Sequence, residues 1–370
     1  MIKTVNVIHV FGILNYGGAE SMIMNLYRNI DHNTIRFDFI VHSSVPGNYD
    51  KEILASGSKI YHCIPLTFCN ILKYVLWWIN FFRLHPEYHI IHSHIRSSAS
   101  IYFIIAKFFG VKTIIHSHST SNGTNIYAVI KNILQLPLRY LADCMLACSN
   151  EAAIWLFGNK ALESCILIRN SIDVLKFAPN EINRRNVRKI LGIKNQFVYG
   201  HVGRYCEAKN HIFLIDVFNE IHKINNNSVL ILIGDGMMKN QIYQKIIDLS
   251  LKESVIILGS RSDVSSLLQA FDMFLFPSKW EGFPISILEA QAAGIPCIIS
   301  DQISNEVDIT DLIHRVPIIS ITPWVELAMT KFNKNNDAFN KILNAGYDVH
   351  ENAYLISRLY KQILKGKSDE

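Results

Sequence analysis

Short apolar runs of strand length recur along this chain with helical stretches between them, and that alternation constrains the fold more than any other feature. The runs are Val5 to Val10, Phe37 to Val41, Ile90 to His94, Lys112 to His116 and Cys144 to Cys148. Strands separated by helices make a parallel sheet with both faces covered. The pattern then restarts, with runs at Phe197 to Val202, Ser228 to Ile233, Val255 to Leu258, Met273 to Phe276 and Pro296 to Ser300. The expected fold is therefore α/β, with two doubly wound domains facing a cleft. Residues 1–172 form the first and 173–352 the second, and a C-terminal helix within 353–370 packs back on the first. The polar, turn-prone stretch from Ile172 to Asn180 reads as the joint between them. A chain of 370 residues is long enough to give each domain a full core.

Composition excludes several classes. Charged residues are 18% and hydrophobic residues 49%, which rules out disorder as a description of the whole. No apolar run approaches the ~20 residues that cross a bilayer. The start, Met1 to Val10, alternates like a strand and lacks the features of a signal peptide, so a cytoplasmic location is expected. Seven scattered cysteines without a Cys-x-x-Cys pair read as buried thiols of a reducing compartment. Residues 1–170 carry 14 Lys/Arg against 9 Asp/Glu, whereas the remainder carries 22 of each. An excess confined to the first half fits an anionic ligand or an acidic membrane surface. Nucleic acid is not expected, because no dense basic run, zinc pattern or helix-turn-helix signal accompanies that excess.

Two segments of the second domain point to a bound anion. Pro277 to Ala290 follows a buried strand and enters a helix, with Pro284 suited to its first turn, so that free N–H groups would face a ligand. Glu281 in the loop and Glu289 about two helical turns later could reach different parts of one extended molecule, of the length of a nucleotide sugar. Gly203-Arg204 and Lys209 lie on the turn after the second domain's first strand. A guanidinium and an ammonium there would neutralise a diphosphate. Each of these signals alone also fits an ordinary surface loop. Gly234-Asp235-Gly236 reads as a tight turn with no catalytic role.

In the first domain, Gly17-Gly18 precedes a helix and lets the backbone approach a phosphate or sugar closely, although the spacing is not that of a dinucleotide site. His92-Ser93-His94 and His116-Ser117-His118 stand at consecutive strand ends, and alternation puts both members of each pair on one face. No carboxylate flanks them, so hydrogen-bonded polar histidines, one or two of them reaching the cleft, are expected and no metal is assigned.

Taken together, Gly17-Gly18-Ala19-Glu20, His118, Asn170-Ser171-Ile172-Asp173, Gly203-Arg204 with Lys209, Gly234-Asp235-Gly236, and Glu281-Gly282-Phe283-Pro284 leading to Glu289 resemble the retaining glycosyltransferases of family four. The likeness runs in order along nearly the whole chain, and its most specific part is the Glu-x7-Glu block with the Arg/Lys pair. It implies the GT-B fold, two Rossmann-like domains facing a cleft. By the same resemblance, Arg204 and Lys209 hold the donor diphosphate and Glu289 the ribose. Glu281 and the backbone of Gly282, Phe283, Pro284 and Ile285 meet the transferred sugar, through N–H groups at each position except the proline, which has none. His118 contacts the sugar's C6 hydroxyl, and the Gly17-Gly18 loop lies against phosphates or acceptor. Ser171 departs from the glycine usual among relatives, which puts the turn there in doubt. Ala147-Cys148-Ser149 and His116-Ser117-His118-Ser119 look most like members that build capsular or exopolysaccharide.

The expected reaction is hexose transfer from a nucleotide sugar, most frequently UDP-linked in such relatives, to a glycan or lipid-linked acceptor. No cofactor is expected and no metal, since there is no Asp-x-Asp motif and the protein supplies the positive charge. The alternatives are a catalytically silent nucleotide-sugar-binding member and a nucleotide-sugar epimerase. Asn70 to Arg83 reads as one helix with paired tryptophans and phenylalanines and basic ends. With Lys107, Lys112, Lys131 and Arg139 it would dock on anionic lipid at the inner face of the membrane. The other reading is a helix buried on the sheet.

Overall fold

The computed structural model describes residues 4–118, 132–281 and 283–365. It divides into one unit made of the chain up to Ser171 and from Val349 onward, and a second from Ile172 to Asp348.

In the first unit β1 (Val5–Phe11), β2 (Ile35–Val41), β3 (Ile60–His62), β4 (Ile90–Ser93), β5 (Lys112–Ser117), β6 (Cys144–Ala147) and β7 (Cys165–Leu167) form one sheet. Its order is β3-β2-β1-β4-β5-β6-β7, and its strand pairs are parallel. Period-two alternation sorts the side chains between two cores. Ile8, Val10, Ile91 and Ile115 pack against Tyr74, Trp78 and Phe103. Val7, Phe37, Ile90 and Ile114 pack against Met22, Leu26 and the C-terminal helix Val349–Lys365. That helix buries Val349, Ala353, Ile356 and Tyr360 in the first unit's core, so the second unit ends at Asp348 and not at 352.

The second unit repeats the plan with six strands: β8 (Phe197–Val202), β9 (Ser228–Ile233), β10 (Val255–Gly259), β11 (Met273–Phe276), β12 (Cys297–Ser300) and β13 (Ile313–Val316). The order is β10-β9-β8-β11-β12-β13, again parallel. Both sheets are thus doubly wound, as the alternation of runs and helical stretches demanded.

Three features differ from the sequence reading. β3, β7 and β13 are strands of three or four residues, too short to carry a period. Ile172 to Asn180 is no free linker: Ile172 bridges Asp348, and the short helix Val174–Phe177 buries Val174 in the second unit's core. In the helix Ile71–Leu84, Tyr74, Trp78, Phe81 and Phe82 are core, so Trp78 and the phenylalanine pair are not lipid anchors; the exposed face carries Leu72, Lys73 and Leu76.

Candidate functional site

The second unit's sheet reverses its direction of growth between β8 and β11, which pair side by side although far apart in sequence. Loops leaving such neighbours turn to opposite faces and open a crevice at the strands' carboxyl ends. The loops in question are those after β8, carrying Gly203, Arg204 and Lys209, and after β11, carrying Glu281. They are tied together by the Lys279 N–H donating to the Ala208 carbonyl at 2.8 Å and by the Lys279–Glu207 pair at 3.1 Å.

Lys209 and Glu281 meet here, with Nζ 2.7 Å from Oε1 and each side chain about six-sevenths covered (15% and 13% exposed). That oxygen makes no well-aligned hydrogen bond, so the contact is chiefly one of charge. The ammonium also lies 4.4 Å from the centre of the Phe276 ring, a cation–π contact. Gly203 gives the lysine its room: a Cβ there would stand 2.9 Å from His201 Nε2 and 3.2 Å from the lysine's Cδ and Cε. Arg204 is exposed on the same turn.

Gly234-Asp235-Gly236 braces this turn from the next strand end. Gly203 N–H donates to Ile233 O and Tyr205 N–H to Asp235 O, both at 2.9 Å. Gly234 and Gly236 have φ of +146° and +159°, and a Cβ at either would strike the carbonyl of Gly203 or Tyr205. The tight turn read in the sequence therefore shapes the loop that carries Arg204.

After β11 the chain enters the helix Ile285–Ala292, whose N-cap is Pro284, so that proline stands one position before the first turn. No side chain caps this end among the described residues, leaving its first N–H groups for a ligand. Gly282 lies outside the described residues. The Phe283 ring stacks on Tyr347 at 5.4 Å and packs, partly covered, against the second unit's core. Glu289 is half-buried on the helix, and burial pushes its carboxyl up to about 8.

His201 and His211, which the sequence reading passed over, are buried beside Lys209, their rings 4.7 Å apart. His201 Nδ1 meets the Leu275 carbonyl at 2.8 Å, while its Nε2 and both His211 nitrogens have no hydrogen-bond partner among the described residues. Burial holds both well below the ordinary range, His211 at about 3, with the Lys209 charge acting the same way. A single histidine in an apolar run carries no such signal.

In the first unit, Gly17 is the N-cap of the helix Gly18–Asn29, and a Cβ on it would collide with the Glu20 carboxylate, whereas Gly18 faces open space. Ser171 is buried and has no positive φ, so the turn there does not need glycine. His118, at the end of β5, is partly covered, with Nε2 2.8 Å from His94 Nδ1. Burial, with the Arg96 charge, lowers it to about 3.

His118 is one of five histidines gathered at neighbouring strand ends: His9 from β1, His92 and His94 from the end of β4, and His116 and His118 from that of β5. His9 is opposite His92 in the sheet register, which the two His-x-His pairs alone did not reveal. Five ring nitrogens of the cluster (His9 Nε2, His92 Nε2, both of His116 and His118 Nδ1) are buried without a hydrogen-bond partner among the described residues. Each such atom costs about 1–3 kcal/mol.

Two family models match the chain, "Glycosyltransferase Family 4" over residues 16–174 and "Glycosyl transferases group 1" over residues 183–312. The chain belongs to glycosyltransferase family four. This family-four member is 32% identical over 369 residues to the Bacillus subtilis protein named as glycosyltransferase EpsF, covering 96% of each chain. It is also 32% identical over 252 residues, 63% of each chain, to the Escherichia coli UDP-Gal:alpha-D-GlcNAc-diphosphoundecaprenol alpha-1,3-galactosyltransferase. Among solved structures, Anabaena HepE in complex with UDP matches it with a TM-score of 0.71 at 17% identity, covering 98% of this chain and 96% of that one. The fold is GT-B. Among the described residues of the transferase, no helix is long and apolar enough to cross a membrane.

Proposed function

We propose that this transferase moves a hexose, with retention at C1, from a UDP-sugar to a polyprenol-diphosphate-linked acceptor in exopolysaccharide or capsule assembly. The observation that carries the reading is the covered Lys209 ammonium, held against Glu281 on the loop that leads into an uncapped helix N-terminus, at the switch point of the second unit's sheet. The names of the Escherichia coli relative and of the HepE complex support the donor base and the acceptor class.

In this reading Arg204 and Lys209 hold the diphosphate, and the N–H groups entering Ile285–Ala292 add the helix's positive end. Glu289 takes the ribose hydroxyls. Glu281 faces the sugar and holds Lys209 in place until the diphosphate arrives. As the bond from C1 to the phosphate oxygen breaks, negative charge grows on UDP and is met by Lys209 and Arg204. The acceptor hydroxyl attacks the same face, and its proton goes to the departing phosphate, so no carboxylate nucleophile is required. Magnesium at the diphosphate is not needed, because the protein supplies the positive charge. His118 meets the sugar, and the Gly17-Gly18 loop meets phosphate or acceptor.

A lipid-linked acceptor calls for a position on the membrane, and the first unit's exposed apolar side chains support it. Leu72 and Leu76 on Ile71–Leu84, Ile104 and Phe108 on the neighbouring helix Ala99–Phe108, and Leu136 and Tyr140 beside it are all exposed. Lys73, Arg83 and Arg139 are exposed on the same segments, whereas Lys107 is paired with Asp143 at 2.8 Å and Lys131 lies outside the described residues. Surface binding of this kind joins apolar insertion to attraction for anionic lipid.

The test is incubation of the full-length protein with labelled UDP-hexoses and a polyprenol-diphosphate-linked sugar, followed by extraction of the lipid and NMR of the new linkage. An α-linkage from an α-donor supports the reading. A β-linkage, or label left entirely in the aqueous phase, opposes it.

A further inference from the structure

The geometry points to a site for one transition-metal ion of the zinc class among His9, His92 and His94 in the first unit. These three rings each offer a nitrogen, the three atoms lying within 4.8 Å of one another. His9 Nδ1 and His94 Nε2 are already 3.0 Å apart. Two nitrogens on one tetrahedral zinc stand about 3.4 Å apart, so a small rotation of either ring opens the pair to an ion.

What separates this trio from a chance cluster is that two of its three outer nitrogens are held by fixed partners, while the third, His9 Nε2, is buried with none among the described residues. His92 Nδ1 meets the Tyr360 hydroxyl at 2.7 Å, which leaves Nε2 pointing into the cluster with no partner among the described residues. His94 Nδ1 meets His118 Nε2 at 2.8 Å, which leaves Nε2 facing His9. Metal-binding imidazoles are oriented in this manner, one nitrogen to the ion and the other to a fixed hydrogen-bond partner. The Tyr360 contact comes from the C-terminal helix, so the chain's last element fixes a ring on β4.

The ligand set is neutral imidazole, with no carboxylate in the group. That favours zinc, cobalt, nickel or copper over magnesium and calcium, which require oxygen ligands. Phe37 lies 4.2 Å from the His9 ring and Phe11 4.2 Å from that of His94, forming an apolar wall. His94 is only partly covered and gives the ion its way in. A second trio, His94, His116 and His118, shares that ring. The first trio is the one proposed, because its His92 carries a side-chain hydroxyl, that of Tyr360, on the outer nitrogen.

The experiment titrates Co²⁺ into the metal-stripped full-length protein, follows visible absorption, and displaces the cobalt with Zn²⁺. One equivalent should give the intense bands of low-coordinate cobalt, and excess Mg²⁺ should not remove them. His92→Gln and His94→Gln should weaken binding at least a hundredfold, and Tyr360→Phe by roughly 10- to 100-fold. His116→Gln should bind within a few-fold of wild type. Long-range ¹⁵N spectra of the wild type, which need no variant to fold, should move the ring signals of three histidines on zinc addition. Absence of stoichiometric cobalt in the wild type overturns the site. So does His116→Gln losing the ion while a folded His92→Gln keeps it.

Discussion

Lys209 Nζ stands 2.7 Å from Glu281 Oε1, with both side chains mostly withdrawn from water. The pair joins two loops that leave strands far apart in sequence and adjacent in the sheet. Removing one partner strands a covered charge, whereas removing both leaves none. Lys209→Ala should lower unfolding free energy by about 3 kcal/mol and kcat by roughly 10²-fold. Lys209→Met with Glu281→Gln should regain most of the stability and none of the rate. Urea unfolding together with UDP-release assays separates the two effects, and recovery of activity in the double variant would remove Lys209 from the leaving-group role.

Glu289 carries a carboxyl that burial raises to about 8, from an ordinary value near 4.5. Between those values the folded form holds a proton that the unfolded chain has released, so this group's contribution to stability is lost as pH rises through about 8. In the proposed role the ribose hydroxyls bind Glu289 as its carboxylate, so UDP affinity should increase from pH 6 to 8. Glu289→Gln should flatten both trends and raise the donor KM more than it lowers kcat. Calorimetric titration of UDP across that pH range checks it; a wild-type affinity independent of pH would take Glu289 away from the ribose.

The Gly234 brace predicts an effect at a distance from the ligand. Gly234→Ala places a Cβ 2.0 Å from the Gly203 carbonyl at a φ of +146°. Thermal unfolding should show a loss of about 1–3 kcal/mol. The shifted turn should lower kcat as well, since misplacement by about 1 Å can cost roughly 10²-fold. Full activity in a destabilised variant would make the motif a fold element alone.

For the membrane surface, Leu72→Asp with Leu76→Asp and Phe108→Asp should abolish sedimentation with anionic liposomes and leave UDP-sugar hydrolysis intact. Lys73→Glu with Arg83→Glu should weaken it by about 1 kcal/mol for each basic residue lost, less as salt rises. Liposome binding that these substitutions do not change would leave the apolar side chains without this role.

How far the sequence reaches can be judged from particular residues. The central strands were legible because both their faces are buried, which writes a continuous apolar run; Ser228–Ile233 is wholly buried. Glu281 and Lys209 were legible as separate motifs, but their meeting depends on β8 pairing with β11, a long-range choice that local pattern does not encode. His9 joins His92 for the same reason, through register alone. The Ile172–Asn180 stretch reads as a joint because it is polar and proline-bearing, yet Val174 and Phe177 supply enough apolar surface to dock it. Trp78 resembles an interfacial anchor by residue type, and only the phase of its helix against the sheet buries it.

The central claim is transfer from a nucleotide sugar with the diphosphate neutralised by Lys209 and Arg204. The most direct measurement is UDP release from a panel of UDP-hexoses with a polyprenol-diphosphate-linked acceptor, in buffer without Mg²⁺ or Mn²⁺, for wild type and for Lys209→Ala and Arg204→Ala. The account predicts steady turnover by the wild type with at least one donor, within a few-fold of the rate with Mg²⁺ present, and roughly 10²-fold less by each variant. Tight UDP binding with no turnover on any donor, or turnover that appears only when Mg²⁺ is added, would contradict it.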